Sequence, residues 1–425
     1  PAFRGDLIPW LIVMTCELIL IFQASMALWT MLSGYGRQPS YRFQTAQAKL
    51  FNPQLNARMR ITADPTKWPM YLNDRQVDVD VLITVYGEPL DVIETTARAA
   101  RAMHGRHITW ILDDGDSDEV RDLAKSLGCR YVRRLGSSGA KAGNINNALS
   151  VAKAEFFVIF DADFVAKPDF LYETVPFMED SNVAFVQTPQ VYGNLNNIVS
   201  RGAGFIQMVF YRFIQPGRNE FNAAFCVGTN VLFRRAAVKD IGGIYTQSKS
   251  EDIWTSILMH ERGWRSIFQP KELAIGETPD TIESYSKQQL RWATGGFEIL
   301  LTHNPLRPRR RLHMDQRLMY FATCTFYFTG IAPGLLMLVP VLEVFFDLRP
   351  VTLAVKWYEW ALFYPGFYAM QILLAAVIAG TFRWEVLLLA ANSFPIYIKA
   401  FFNALLKVDT KWSVTGATGG KASAF

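Results

Sequence analysis

The chain places carboxylates where strands run out. Phe156-Phe157-Val158-Ile159-Phe160 is apolar throughout and stops on Asp161-Ala162-Asp163. A short continuous apolar run suits a strand buried on both faces of a parallel sheet. Open α/β sheets bind ligands beyond the carboxyl ends of such strands. Two acids two residues apart in extended chain point to one side. Together they form a hard oxygen site suited to Mg2+ or Mn2+ holding a diphosphate. A strand followed by a polar turn explains one such pair equally well, so the weight falls on what accompanies it.

A second acidic end, Asp113-Asp114-Gly115, follows Ile108-Thr109-Trp110-Ile111-Leu112. Two such ends on one edge call for a cation or a cationic ligand, because unpaired like charges repel. Tyr86-Gly87-Glu88 closes a third strand; a tyrosine can stack on a base, and a carboxylate can accept from its N–H. Lys141-Ala142-Gly143-Asn144 opens a helix, and a helix N-terminus with Lys and Gly suits phosphate. Ser250-Glu251-Asp252 precedes the helical stretch Ile253–His260, where acids also favour the first turn as caps. Gln288 and Arg291 share a helix face with Trp292 beside them. That arginine can neutralise a leaving diphosphate, and the indole can stack on a sugar ring. Each motif alone has an ordinary structural explanation: a turn, a cap, a surface arginine, a core tryptophan.

The elements that must position these residues alternate. Strand Val79–Tyr86, helix Leu90–Met103, strand Ile108–Leu112, helix Ser117–Leu127 capped by Ser117, strand Arg130–Arg133 and helix Gly143–Ala154 lead to the strand at Phe156. Alternation of this kind predicts a mostly parallel sheet in an α/β domain over 77–305. The chain is 50% hydrophobic and 14% aromatic, more apolar than an ordinary soluble enzyme of its length. The excess lies outside the α/β domain. Leu7–Leu32 reads as a transmembrane helix (1–35), with Glu17 expected to face protein or water. An amphipathic connector (36–76) follows. Leu318–Phe346 and Leu353–Gly380 are each long enough to span, within 306–383, and the basic run Arg307–Arg311 before them puts the α/β domain in the cytoplasm. Trp384–Leu406 reads as a helix in the interface plane (384–406), ahead of a tail (407–425). The four scattered cysteines fit neither a disulfide framework nor a zinc site. No aromatic-basic interleaving points to nucleic acid.

The ordered set Asp-Asp-Gly, Asp-x-Asp, Ser-Glu-Asp and Gln-x-x-Arg-Trp, flanked by membrane spans, resembles the processive family-two inverting glycosyltransferases of the bacterial cellulose synthase and β-glucan synthase kind. Lys141–Asn147, Gln187-Thr188-Pro189, Phe225-Cys226-Val227-Gly228-Thr229 and Arg291-Trp292-Ala293-Thr294-Gly295 add to the resemblance. It implies a GT-A fold, Rossmann-like, embedded between transmembrane and interfacial helices. It implies that Tyr86 and Glu88 hold uracil, that Asp113 and Asp161 contact the nucleotide, and that Asp163, with Asp161, binds Mg2+ or Mn2+. Lys141 and Arg291 would take the diphosphate and Asp252 would be the general base. Gln288, Trp292, Glu251, Cys226 and Gly228 would form the acceptor site. Lys411-Trp412-Ser413-Val414-Thr415 resembles a gating loop that closes over nucleotide, with Thr415 as a contact. Phe164, Gly139 and Gln190 stand where cellulose synthases carry histidines, which leaves a 1,3- or mixed-linkage product open.

The resulting expectation is a processive inverting transferase in the bacterial inner membrane. It would polymerise a β-glucan from UDP-glucose and pass it across the bilayer, together with secretion subunits. The alternatives are a non-processive transferase acting on a lipid acceptor and a non-catalytic nucleotide-sugar sensor.

Overall fold

The computed structural model describes residues 4–34, 41–52, 63–134, 136, 138–351, 356–358, 365, 369, 372 and 383–408. The gating-loop motif with Thr415 lies outside the described residues, as does nearly all of the expected span Leu353–Gly380.

Chain order runs as follows. Helix α1 (Leu7–Gly34) and α2 (Tyr41–Lys49) precede the α/β domain. Strand β1 (Val79–Val85), α3 (Leu90–Arg101), β2 (His107–Asp113), α4 (Asp118–Ser126), β3 (Arg130–Arg133), α5 (Ala140–Ala148) and β4 (Phe156–Asp161) follow. Then come β5 (Val183–Gln187), β6 (Val231–Arg234), α6 (Glu251–Glu261), β7 (Arg265–Phe268) and α7 (Ile282–Thr302). The described chain closes with α8 (Met314–Thr325), α9 (Phe328–Leu336), α10 (Leu338–Phe346), α11 (Trp384–Asn392) and α12 (Phe394–Leu405).

Seven strands form one sheet in the order β7-β5-β6-β4-β1-β2-β3. Every neighbouring pair is parallel except those of β6, which runs antiparallel to both β4 and β5. The continuous apolar runs are explained by helices on both faces. Along β4, Phe156, Val158 and Phe160 enter one core with Ile93 and Ala97 of α3, while Phe157 and Ile159 enter the other with Ile145 and Ala148 of α5. Asp80 is buried inside β1 and is satisfied there by the Trp110 indole N–H (2.8 Å) and the Ala154 N–H (2.8 Å).

Ser117 caps α4 as expected, accepting from the Val120 N–H at 3.3 Å. The helix expected from Gly143 starts three residues earlier and ends at Ala148. Gly143 is not a breaker: a Cβ there would lie 2.2 Å from the Ser138 carbonyl oxygen, so the glycine permits a close backbone approach inside the helix. The connector rests on the domain, where Phe43 of α2 stacks on Phe177 at 4.1 Å.

α1 is 28 residues long and apolar enough to cross a membrane, and so is the stretch Phe328–Phe346. The expected span from Leu318 is therefore shorter, and α8 before it joins the α/β domain to the helices. α1 runs antiparallel to α8 and α9: Gln23 donates to Ala322 O (3.2 Å) and Thr325 Oγ1 (2.7 Å), and Cys16 to Ala332 O (3.6 Å). Glu17 lies on the exposed face of α1 rather than against protein. The single helix expected at 384–406 is instead α11 and α12, bent by 41° about Ser393 and Pro395. α12 lies along α7, with Phe401 edge-on to Phe297 at 5.4 Å.

Candidate active site

Register brings the acids to one edge. Val85 pairs with Asp113 and Thr84 with Asp161, so β1, β2 and β4 stop together. Their side chains then divide. Asp113 is 1% exposed and turned inward, accepting from the N–H groups of Gly115 (2.7 Å) and Ser117 (2.9 Å) and from the Tyr131 hydroxyl (2.7 Å). The carboxylate expected to meet a nucleotide is here engaged with the protein's own donors and shapes the turn. Asp114 forms a two-pronged ion pair with Arg134, one arm being Nη2 to Oδ2 at 2.7 Å. The same guanidinium donates to the carbonyls of Ser138 and Ala140, and so pins the segment that leads into α5 and Lys141.

Asp161 ion-pairs with the Lys141 ammonium, and Thr84 Oγ1 donates to the same carboxylate oxygen at 3.2 Å. Asp163 is pushed up to about 7, first by burial and then by the charge of Asp161. Glu88 is pushed upward by burial, against the Tyr86 N–H that donates to it at 2.6 Å. The Tyr86 ring is exposed at 43%. Three acids thus share one lysine, and a divalent cation fits that excess of negative charge. Among the described residues no three His, Cys, Asp or Glu side chains converge as a complete metal cage. A divalent cation is often held by one or two carboxylates and completed by substrate phosphates, so a full cage is not required.

The reversal of β6 brings a second group to this edge. The segment before β6 is held by Gln187, a fully buried side chain that donates to Thr188 O (2.8 Å) and Thr229 O (2.9 Å) and accepts from the Val227 N–H (2.9 Å). Thr229 Oγ1 accepts from the Asp161 N–H at 2.9 Å, tying the segment to β4. Between them, Gly228 adopts φ +84°, and its Cβ position would lie 3.7 Å from Lys141 Nζ and 3.9 Å from Asp252 Oδ2. A lysine of one half and an aspartate of the other therefore meet at a bare glycine.

Asp252 stands in the first turn of α6, where Oδ1 accepts from the Ile253 N–H at 2.8 Å. Its carboxyl is pushed up to about 7 by burial and then by Glu251, while Arg291 and Lys141 draw it back down. Glu251 is itself raised by burial against the same two cations. Cys226 lies beneath, 2% exposed, its thiol donating to Asp252 O (3.1 Å) and accepting from Ser256 Oγ (3.2 Å). Burial pushes that thiol far up. Cys226, expected at the acceptor site, thus lies beneath α6 and supports it from below.

α7 crosses the start of α6 at Gly295, where a Cβ would sit 2.0 Å from Ser250 Oγ. One turn earlier, Arg291 places its charge over Glu251 and Asp252. Gln288 and Trp292 are half-buried on the same helix. Their neighbour Gln289 is buried and accepts from the Tyr397 hydroxyl of α12 at 3.1 Å. Sequence reasoning missed the positioning roles of Gln187, Arg134, Gly295 and Tyr397. The Gln-Thr-Pro motif and the small-residue run Ala293-Thr294-Gly295-Gly296 were signals for two of them. Arg134 and Tyr397 leave no local signal.

Residues 156–388 match the model of the glycosyl transferase family group 2. A UDP-forming cellulose synthase catalytic subunit of Xanthomonas axonopodis pv. citri (strain 306) is 32% identical over 280 residues, 64% of this chain and 37% of that protein. Its counterpart in Pseudomonas fluorescens (strain SBW25) is 29% identical over 295 residues, 67% and 39% of the two chains. The chain thus spans well under half the length of these relatives. Among solved structures, a mannosyltransferase from Pyrobaculum calidifontis, in complex with GDP-Man and Mn2+, superposes with a TM-score of 0.55 at 17% identity, over 91% of this chain and 100% of that one. That likeness is one of fold.

Proposed function

The chain belongs to the glycosyl transferase family group 2, and on that premise we propose that it is a membrane-embedded, processive, inverting glycosyltransferase. It extends a β-glucan from UDP-glucose and passes the polymer through its membrane helices. The names of its relatives support the donor and the product class. The observation that carries the reading is the meeting of Lys141 and Asp252 at Gly228. A group that can take a proton stands beside a group that can hold a leaving diphosphate, with no side chain between them.

The acceptor hydroxyl gives its proton to Asp252 as its oxygen attacks the anomeric carbon. The bond from that carbon to the diphosphate oxygen breaks, and UDP departs with the electron pair. Lys141 and Arg291 supply fixed positive charge where that negative charge develops. An α-linked donor so attacked gives a β-linked product without a covalent intermediate. The upward push on Asp252 suits a base working near neutral pH. Tyr86 and Glu88 take the uracil, with Asp113 ordering the adjoining turn. Gln288 and Trp292 line the acceptor path, with Glu251 and Gly228 at its floor. Asp161 and Asp163 would hold Mg2+ or Mn2+, which would supply Lewis-acid charge to the diphosphate. The domain 77–305 faces the cytoplasm of a bacterial inner membrane, a placement that Arg307–Arg311 ahead of the span supports.

The test is transfer of labelled glucose from UDP-glucose with Mg2+ or Mn2+, in wild type and Asp252→Asn. Wild type yields a high-molecular-weight product that a linkage-specific glucanase digests. The variant loses transfer by about 10²–10⁴-fold and still binds UDP. A small lipid-extractable product would replace polymerisation with lipid glycosylation. Transfer undiminished in the variant would remove Asp252 from the mechanism.

A further inference from the structure

A second charged cavity lies at the other end of α6. It measures about 370 Å3 and is lined by Glu261, Arg262, Arg309 and Arg311. Its one acid is already engaged: Glu261 Oε1 lies 3.0 Å from His303 Nε2 and 3.7 Å from Arg310 Nη1. Among the described residues, no ion pair engages Arg262, Arg309 or Arg311. Arg310 Nε beside them is buried without a hydrogen-bond partner. The three exposed guanidinium groups, gathered from two separate elements, concentrate positive charge that favours an anion. Glu261 is nine residues beyond Asp252 on the same helix, roughly 14 Å away, so this cavity is not the diphosphate site.

Its surroundings say which anion. Leu301, Leu306 and Met314 flank the basic segment and are 38%, 37% and 63% exposed. The level of the cavity relative to α1 follows from the helix contacts. Gln23 meets Ala322, and the helices are antiparallel. Eleven residues along α1 from Gln23 to Gly34 cover about 16 Å, and eight residues back from Ala322 to Met314 cover about 12 Å. Met314, and the arginines just before it, therefore stand near the level of the last turn of α1, where the apolar stretch ends. Arginines beside exposed aliphatic side chains at that level match a phospholipid, with its phosphate in the cavity and its chains against the leucines and methionine.

We propose that the cavity between the carboxyl end of α6 and Arg309–Arg311 binds the phosphate of an anionic membrane phospholipid. The inference rests on reading α1 and Phe328–Phe346 as spans. Fractionation checks that premise separately: a chain washed from membranes by alkaline carbonate would defeat the spans, whatever the cavity binds. The test of the cavity uses the full chain in detergent, with native mass spectrometry after adding phosphatidylglycerol or phosphatidylcholine. Wild type retains phosphatidylglycerol over phosphatidylcholine. Arg309→Gln with Arg311→Gln lowers that retention by on the order of ten- to thirtyfold. Arg309→Lys with Arg311→Lys keeps most of it, and Arg98→Gln, at a surface pair away from the cavity, leaves it unchanged. Equal retention of both lipids, or full retention by the double glutamine variant, overturns the proposal. Inorganic phosphate binding to wild type with no preference between the lipids would also overturn it, assigning the cavity to a soluble anion.

Discussion

The two halves of the candidate site are built by different means. The half formed by Tyr86, Asp113, Asp161 and Lys141 hangs on adjacent parallel strands and the start of α5, and backbone register brings its strand-end acids level. The half formed by Gly228, Glu251, Asp252 and Arg291 hangs on side chains: Gln187 folding a segment, Gly295 letting α7 settle on Ser250, Tyr397 holding Gln289. The first resembles a row of teeth on one comb, the second a joint held by separate pegs. Removing a peg should therefore impair transfer while leaving nucleotide binding in place, and damage to the comb should impair both.

The largest expected effect tests the comb. Asp114 and Arg134 are 6% and 10% exposed and doubly bonded, and breaking such a pair from one side costs about 3–5 kcal/mol. Asp114→Asn should lower the unfolding midpoint by that measure and weaken UDP binding in calorimetry. An unchanged midpoint would mean that register alone holds the donor half. Next is the main peg. Gly295→Ala drives a methyl into Ser250, an overpacking of about 1–3 kcal/mol. Transfer should fall at least tenfold with UDP affinity retained; a parallel loss of UDP affinity would erase the distinction between the halves.

The pH dependence is the third. Asp252 must be ionised to accept a proton, and its carboxyl is raised to about 7. Below that pH the protonated form dominates and transfer drops about tenfold per unit, while above it the rate levels off. Arg291→Gln removes a cation that draws this carboxyl down, so the midpoint of the profile should move upward; a profile unmoved by Arg291→Gln would place the titration elsewhere. The smallest effect belongs to Tyr397→Phe, which deletes one hydrogen bond to Gln289 worth about 0.5–1.5 kcal/mol. Transfer should decline a few-fold in a steady-state assay, and nucleotide binding should not change.

The same contrast explains what could be read in advance. Strands such as Phe156–Asp161 were legible because burial on both faces demands an unbroken apolar run, and the acids that end them stand out against it. The order of the motifs made the family legible. The start of α5 is expected three residues late, at Gly143, because a glycine inside a helix looks like its end until the Ser138 carbonyl beside it is seen. The inward turn of Asp113 depends on Tyr131, and the burial of Cys226 on Ser256; no local pattern announces either partner. The break between α11 and α12 is marked by Pro395, but its purpose, laying α12 along α7, is a contact across 108 residues.

That last contact has a consequence for how the protein is made. The strands of the comb, β1, β2 and β4, are all synthesised once the ribosome has passed Asp161. The joint must wait for Tyr397. At translation rates of roughly 5–20 residues per second, the interval between Gln289 and Tyr397 is on the order of 5–20 seconds. During it the nascent chain has a finished donor half and an unbraced α7. A chain cut short in that window would lack the brace on α7 and, on the proposed function, would hold nucleotide yet transfer less sugar.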